Sequence, residues 1–175
     1  MKTAIIYKSR TGFAQKYANL IAEQLNADIF SAESVHVEKL FTYDTIIFGG
    51  GLYINGIYGL KTITNNLNIL KDKHLIVFAT GSTKASKRNI EYIMNSNFSK
   101  RQLMQIKFFY LQSGFDADKL SLIDKFFLQL IRMKLWVKKE KSEGEHELIS
   151  HYKKNLDVLS KDNTLPIVKY VNNLE

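Results

Sequence analysis

The sequence predicts a single α/β domain over residues 1–175, with five parallel strands in a three-layer, doubly wound sheet and helices on both faces. Strand-like apolar runs alternate along the chain with segments of helical periodicity. Two of the runs, 44–48 and 75–79, are apolar or β-branched on both faces, as in strands buried between two helical layers. Three of the runs end in segments rich in glycine or hydroxyl residues. The strand order 2-1-3-4-5 would make these three strands neighbours.

The first half of the chain supplies three of the predicted strands. Residues 3–7 form the first, 27–30 a short second and 44–48 the third. Residues 12–25 predict a helix, because their apolar residues share one stripe at three- and four-residue spacings. The stripe comprises Phe13, Ala14, Tyr17, Ala18, Ile21 and Leu25. Residues 33–42 fit either a short helix or an extended connection.

The middle of the chain continues the alternation of helices and strands. A helical stripe precedes the fourth strand at 75–79, and a second helix precedes the fifth strand at 106–111. The first stripe is Leu60, Ile63, Leu67 and Leu70, and the second includes Ile90, Ile93 and Met94.

The C-terminal third departs from this pattern. Residues 118–137 predict a helix with more apolar surface than one-sided packing on a sheet needs. A charged linker at 138–145 and a last helix at 145–159 follow, and the tail after Pro166 gives no prediction. The extra amphipathic segment, about 118–140, has three interpretations: a contact with a membrane surface, a homodimer or partner contact, or an additional core helix.

The segment Ser9-Arg10-Thr11-Gly12-Phe13-Ala14 joins the first strand to the first helix and predicts an anion site. The first N–H groups of a helix have no intrahelical partner, and the helix dipole favours negative charge there. Ser9 and Thr11 add hydroxyl donors, and Gly12 allows a ligand to approach the backbone. The alternative is an ordinary helix capped by Ser9 or Thr11. Arg10 would either face solvent or neutralise a phosphate.

Two further segments predict parts of the same site. Residues 49–56 contain four glycines with Tyr53 and Asn55, and residues 80–83 are Thr-Gly-Ser-Thr. Ligands of open parallel sheets bind at the carboxyl ends of the strands, so we expect the three segments to converge. Hydroxyl donors in the first segment suit a terminal monophosphate such as that of riboflavin phosphate (FMN).

Several other chemistries are excluded or unsupported. The chain has no cysteine, which excludes disulfides and thiolate chemistry, and its four histidines are scattered, so we expect no metal site. It also lacks a Gly-x-Gly-x-x-Gly turn and a Gly-Lys-Ser/Thr phosphate loop. No apolar run approaches the ~20 residues that span a bilayer, and no signal peptide is evident. We therefore expect a cytoplasmic protein.

The net charge of +8 is concentrated in one part of the chain. Residues 84–141 contain 13 Lys or Arg against 5 Asp or Glu. This excess indicates either an anionic partner, such as phosphate, an acidic protein or acidic lipid headgroups, or an ordinary solvated surface. We expect no nucleic-acid partner.

Two of the segments described above resemble the flavodoxin-like family. Ser9-Arg10-Thr11-Gly12-Phe13-Ala14 resembles its phosphate loop, Ser/Thr-x-Thr-Gly-x-Thr/Ala. Tyr43-Asp44-Thr45-Ile46-Ile47-Phe48-Gly49 resembles the Tyr-Asp strand before the first loop that flanks the flavin. Together they make the resemblance specific, and it extends over nearly the whole chain.

Within this family the chain is most similar to the short, basic branch of quinone-linked protoporphyrinogen oxidases (protoporphyrinogen IX dehydrogenases). The likeness lies in 49–56, in Arg88 and in 123–134, which is similar to the branch's Tyr-Asp-Arg-Phe helix. Residues 138–145 depart from it, because they replace the glycine- and Thr-Asp-rich residues that often follow that helix.

The resemblance implies FMN as cofactor and assigns a role to each segment. The first would bind the phosphate, 49–56 would lie along one side of the flavin with Tyr53 stacked on the isoalloxazine, and 80–83 would flank the other side. The implied cofactor-binding residues are Ser9, Arg10, Thr11, Gly12, Phe13, Ala14, Gly50, Gly51, Leu52, Tyr53, Ile54, Asn55, Gly56, Thr80, Gly81, Ser82 and Thr83. No side chain stands out as a catalytic acid or base.

The resemblance leaves three functions open. The first is an FMN-dependent oxidoreductase of the protoporphyrinogen type with a quinone-like acceptor, at the inner face of the membrane if 118–140 contacts lipid. The second is a flavodoxin electron carrier that serves a redox partner. Such carriers are usually acidic, so the charge of +8 counts against this function. The third is a flavin-free interaction module.

Overall fold

A computed structural model describes residues 1–53, 56–114, 133 and 159–174. Its strands are β1 (Thr3–Lys8), β2 (Asp28–Ser31), β3 (Thr45–Tyr53), β4 (Gly56–Ile57), β5 (His74–Gly81) and β6 (Ile106–Gln112). Its α-helices are α1 (Phe13–Leu25), α2 (Lys61–Thr64), α3 (Lys87–Asn97), α4 (Lys100–Leu103) and α5 (Leu165–Asn172). Two 3-10 helices lie at Val37–Thr42 and Lys161–Thr164.

The sheet confirms the predicted class and strand order. Five strands pair in parallel in the order β2-β1-β3-β5-β6, which is the predicted 2-1-3-4-5 once the short β4 is set aside. β4 pairs antiparallel with the end of β3 and was not predicted.

Each face of the sheet carries its own core, because successive side chains of a strand point to opposite faces. On one face Ile5, Ile47 and Ile76 contact α1 and α5. On the other, Ile6, Phe48 and Val77 belong to a core that includes residues of α2, α3 and the Val37–Thr42 helix. The predicted three-layer arrangement follows from these two cores.

The hydrophobic periodicity of the sequence predicted which residues are buried better than it predicted which residues form a regular helix. Residues 33–42 contain the short 3-10 helix rather than an extended connection. Leu60, Ile63, Leu67 and Leu70 are all buried as their stripe predicts, but α2 itself covers only Lys61–Thr64 and turns follow it. These four apolar side chains are buried although the backbone that carries them is not one continuous helix.

Two loops begin later in the chain than predicted, because the strands before them are longer than predicted. β3 continues through the glycines to Tyr53, and β5 includes Thr80 and Gly81. The glycines of β3 are required by packing: a Cβ on Gly49 would lie 2.1 Å from Cζ of Phe78. Glycine at this point marks close contact with a neighbour rather than the end of a strand.

The C-terminal tail, whose pattern allowed no prediction, forms α5. Pro166 lies in the first turn, where its missing N–H costs no hydrogen bond, and Ile167 and Val171 are buried in the core beside α1. The predicted helix at 118–137 and most of 145–159 lie outside the described residues, apart from Met133 and Leu159. Among the described residues, no helix has the length and apolarity needed to cross a membrane.

A buried tyrosine fixes the edge strand β2 to the start of β3. The Tyr43 hydroxyl donates a hydrogen bond to the Asp28 carboxylate at 2.7 Å. Burial, followed by the bond to the Asp28 carboxylate, raises the pKa of Tyr43 to about 12. Tyr43 therefore stays a neutral hydrogen-bond donor over the whole physiological pH range.

We expect Gly49→Ala to lower the free energy of unfolding by about 1–3 kcal/mol, because the fully buried Phe78 ring must move to admit the new methyl group. Gly51→Ala is the matched control in the same strand. Its Cβ would meet Thr80 Oγ1 at an ordinary 3.9 Å, so a change within about 0.5 kcal/mol is expected. Urea denaturation followed by circular dichroism measures both. Equal destabilisation by the two variants would contradict the packing role of Gly49.

Candidate cofactor site

Parallel pairing brings the ends of β1, β3 and β5 together at one edge of the sheet. Lys8 of β1 is level with Gly50 of β3, and Gly51 of β3 is level with Thr80 of β5. The three segments predicted to form a site therefore leave the same edge from adjacent strands. Ile54 and Asn55 lie outside the described residues.

The segment after β1 turns into α1 through Gly12, whose φ of 86° lies in the left-handed region. The Gly12 N–H donates to Ser9 Oγ at 3.0 Å, which closes the turn. Gly12 is the N-cap residue of α1 and has no side chain that could accept a capping hydrogen bond. The N-cap residue is therefore neither Ser9 nor Thr11, and a helix that begins at a glycine offers N–H groups that suit an anion.

Phe13 and Ala14 were predicted as site residues, and their side chains are buried beneath α1. They can reach a ligand through their backbone N–H groups only. Ser9 and Thr11 are half-buried, and Arg10 is exposed. The polar side chains of this segment thus surround the helix terminus while its apolar side chains hold it against the core.

The end of β3 forms a narrow hairpin with β4. Tyr53 pairs with Gly56, and the Tyr58 N–H donates to the Gly51 carbonyl at 2.9 Å. A Cβ on Gly50 would lie 2.6 Å from Cγ2 of Ile57, so glycine is needed there for the hairpin to close. Gly51 has ordinary space around it and is the glycine whose backbone a ligand could approach.

Tyr53, the predicted stacking residue, is half-buried at the tip of β3. The guanidinium carbon of Arg10 lies 4.5 Å from the centroid of its ring. The same carbon lies 4.5 Å from the ring centroid of Tyr58, a residue that no sequence pattern predicts for the site. Arg10 thus connects the first segment to the β3–β4 hairpin.

The segment after β5 is held by residues that sequence reasoning missed. Thr83 Oγ1 accepts a hydrogen bond from the Asn89 side chain at 2.9 Å and lies 3.1 Å from the Tyr110 hydroxyl. That hydroxyl donates to the Thr83 carbonyl at 2.7 Å. Thr80 is buried, whereas Gly81 and Ser82 are partly exposed. No local pattern predicts these contacts, since Tyr110 lies on a different strand.

Lys8, the last residue of β1, forms an ion pair beside the first segment. Lys8 Nζ lies 3.5 Å from the Glu33 carboxylate. The pKa of Glu33 is held below its usual range, first by a hydrogen bond from its own backbone N–H and further by Ser31 and Lys8.

Within the described ranges, no group of three or more His, Asp or Glu side chains could hold a metal ion.

These residues fit a phosphorylated planar ligand. The start of α1 at Gly12, together with Ser9, Thr11 and Arg10, suits a phosphate, and Tyr53 supplies an aromatic surface beside it. Gly51 and Gly81 lie at the ends of the neighbouring strands β3 and β5, and both are partly exposed. Among the described residues of this edge, no two side chains form an evident acid–base pair.

Known proteins resemble the chain to different extents. An uncharacterized protein of Methanocaldococcus jannaschii is 43% identical over 54 residues, which cover 30% of this chain and 36% of that protein. The Trp repressor binding protein of Bacillus subtilis aligns with 81% of this chain and all of its own, at 15% identity and a TM-score of 0.48. A flavoprotein of Lactobacillus acidophilus, solved in complex with FMN, aligns with 63% of this chain and 91% of its own, at 13% identity and a TM-score of 0.41.

The family to which the chain belongs is shown by its match to a model of a protein family. The family model of the flavodoxin domain matches residues 4–143, which include the five parallel strands, except the first residue of β1, and the three segments at their carboxyl edge. The sheet order β2-β1-β3-β5-β6 is the order expected for that fold. The chain belongs to the flavodoxin-domain family.

Proposed function

We propose that the chain binds FMN at the carboxyl edge of its sheet and acts in electron transfer. The observation that carries this proposal is the alignment of the ends of β1, β3 and β5 beside a helix whose N-cap residue, Gly12, has no side chain. The phosphate would bind at residues 9–14. The flavin ring would lie between Tyr53 and residues 80–83.

Each part of the chain has a definite task in this proposal. The backbone amides at the start of α1 bind phosphate oxygens, and the helix dipole adds a favourable field. Tyr53 orients the ring by stacking, and the segment fixed by Asn89 and Tyr110 limits its position on the other side. FMN itself supplies the electron chemistry, so the protein needs no acid–base residue for it.

Within this role we favour an oxidoreductase over a simple carrier. The net charge of +8 suits an anionic substrate or acceptor better than the basic reductases on which acidic carriers dock. The narrower proposal is the oxidation of protoporphyrinogen IX with a quinone-like acceptor. Its support is the sequence likeness at 123–134, of which the structure describes only Met133. Contact of 118–140 with a membrane surface belongs to the same proposal.

Titration of the purified, flavin-free protein with FMN tests the cofactor. We expect saturable binding with quenching of flavin fluorescence, and about tenfold weaker binding by Gly12→Ala, because its φ of 86° strains an L residue by roughly 1 kcal/mol or more.

Asn26→Ala is the matched control for this titration. Asn26 caps the other end of α1 with a φ of 49°, so the substitution strains the same helix away from the site. It should lower stability and leave FMN affinity unchanged. A protein that ignores FMN would support the flavin-free module, and equal loss in the two variants would remove residues 9–14 from the site.

Anaerobic mixing of the FMN-loaded protein with protoporphyrinogen IX and a menaquinone analogue tests the enzyme proposal. We expect porphyrin fluorescence to appear over many turnovers and to require both the flavin and the quinone. Reduction of the flavin only by a partner reductase, with no porphyrin formed, would assign the chain to the carriers instead.

A further inference from the structure

A cavity of about 270 Å³ lies at the amino edge of the sheet. His74 and Ile106, which begin β5 and β6, line it together with Tyr170 of α5. The segments proposed to bind FMN leave the opposite edge, and the eight residues of β5 separate the two edges by about 23 Å. We call this space the amino-edge cavity. None of its described lining residues belongs to a segment proposed to bind FMN.

Two lysines line the amino-edge cavity, and each contacts a group that has no net charge. Lys73 Nζ donates a hydrogen bond to the Phe41 carbonyl at 2.8 Å. Lys107 Nζ lies 5.3 Å from the ring centroid of Tyr170 and 5.9 Å from that of Phe109. A carbonyl dipole and an aromatic quadrupole attract a cation without cancelling its charge. The contacts of the two lysines therefore leave positive charge at the cavity.

Acidic side chains are absent from the described lining of the cavity. Among the described residues, neither lysine of the cavity forms an ion pair. The acid nearest to them in sequence, Asp72, is exposed and lies outside the lining. His74 and Gln105 also line the cavity, and the side chain of each has an N–H group that can donate a hydrogen bond. The cavity thus combines positive charge with several hydrogen-bond donors.

The shape of the cavity limits what can bind there. Its lysines line a concave space rather than a flat face, which favours a small ligand over the surface of an acidic protein. Pockets that hold drug-sized ligands have volumes of roughly 300–1,000 Å³. A volume of about 270 Å³ therefore suits a molecule smaller than a flavin nucleotide.

We propose that the amino-edge cavity binds a small polyanion, a free molecule with two or three negative charges on carboxylate or phosphate groups. Lys73 and Lys107 supply the attraction between charges, and His74 and Gln105 add hydrogen bonds to the anionic oxygens. The inference goes beyond the proposed FMN function and does not depend on it, because the two sites share no described residue.

The test titrates the full-length protein with citrate and, separately, with inorganic pyrophosphate. Backbone amide shifts recorded by NMR locate the binding, and calorimetry gives the dissociation constants. We expect saturable shifts at 73–75, 103–107 and 170. Acetate, with one charge, should bind about tenfold more weakly or less tightly still, and raising KCl from about 50 to about 500 mM should weaken citrate binding.

Matched variants separate the cavity from the general charge of the protein. Lys73→Gln and Lys107→Gln should each weaken citrate about three- to tenfold, because each removes an attraction between charges at short range. Lys71→Gln and Lys169→Gln are their controls. Each removes an exposed lysine close in sequence to a lining residue but outside the lining, so a change below about twofold is expected. Lys107→Arg keeps the charge and should keep the affinity.

Folding is checked separately, because Lys73 also bonds the Phe41 carbonyl. Urea midpoints show which variants remain folded, and Lys107→Gln tests the charge at the cavity without breaking that hydrogen bond. The shifts are resolved by residue, so binding at the cavity is distinguished from binding at 9–14. A protein that ignores FMN but shows the expected shifts at the cavity would overturn the proposed function and support this inference.

Four results would overturn the polyanion site. The first is the absence of saturable shifts at the cavity with both citrate and pyrophosphate. The second is equal weakening of citrate by the cavity variants and by their controls, which would reduce the effect to overall charge. The third is acetate binding as tight as that of citrate. The fourth is much tighter binding of a short polyglutamate peptide than of citrate at the same residues, which would assign the cavity to an acidic protein partner.

Discussion

The close approach of the β3 backbone to its neighbours is the constraint on which the rest of the structure depends. At Gly49 the strand leaves no space between itself and the Phe78 ring, and at Gly50 it lies against Ile57 and the Tyr58 carbonyl. Because these positions lack side chains, β3 can extend to Tyr53 and reverse into β4. The same geometry keeps β3 level with β1 and β5, so the three proposed binding segments leave the sheet side by side.

The sequence predicted the features that depend on periodicity. Ile5, Ile47 and Ile76 alternate with Ile6, Phe48 and Val77, and the two sets occupy opposite cores as period-two strands require. The helical stripe of Leu60 to Leu70 marked burial correctly even where α2 is short. Sheet order followed from the alternation of strands and helices together with the rule for doubly wound folds.

Features that depend on contacts between distant segments could not be predicted. The three consecutive glycines suggested a loop. The first of them, Gly49, is instead required because the ring of Phe78, on the next parallel strand, leaves no space for a side chain. Tyr58 and Tyr110 hold parts of the candidate site, but each lies in a segment whose local pattern gives no sign of it. The helix α5 was missed because eight residues around a proline carry too little periodicity to identify a helix.

The central claim is that three separate segments form one flavin site at the carboxyl edge of the sheet. Backbone amide chemical shifts, recorded by NMR as FMN is added, test it most directly. A flavin site at the carboxyl edge predicts saturable shifts concentrated at 9–14, 50–53 and 80–83, with few at the opposite edge near His74 and Ile106. Shifts confined to that opposite edge, or no shifts at any residue, would contradict it.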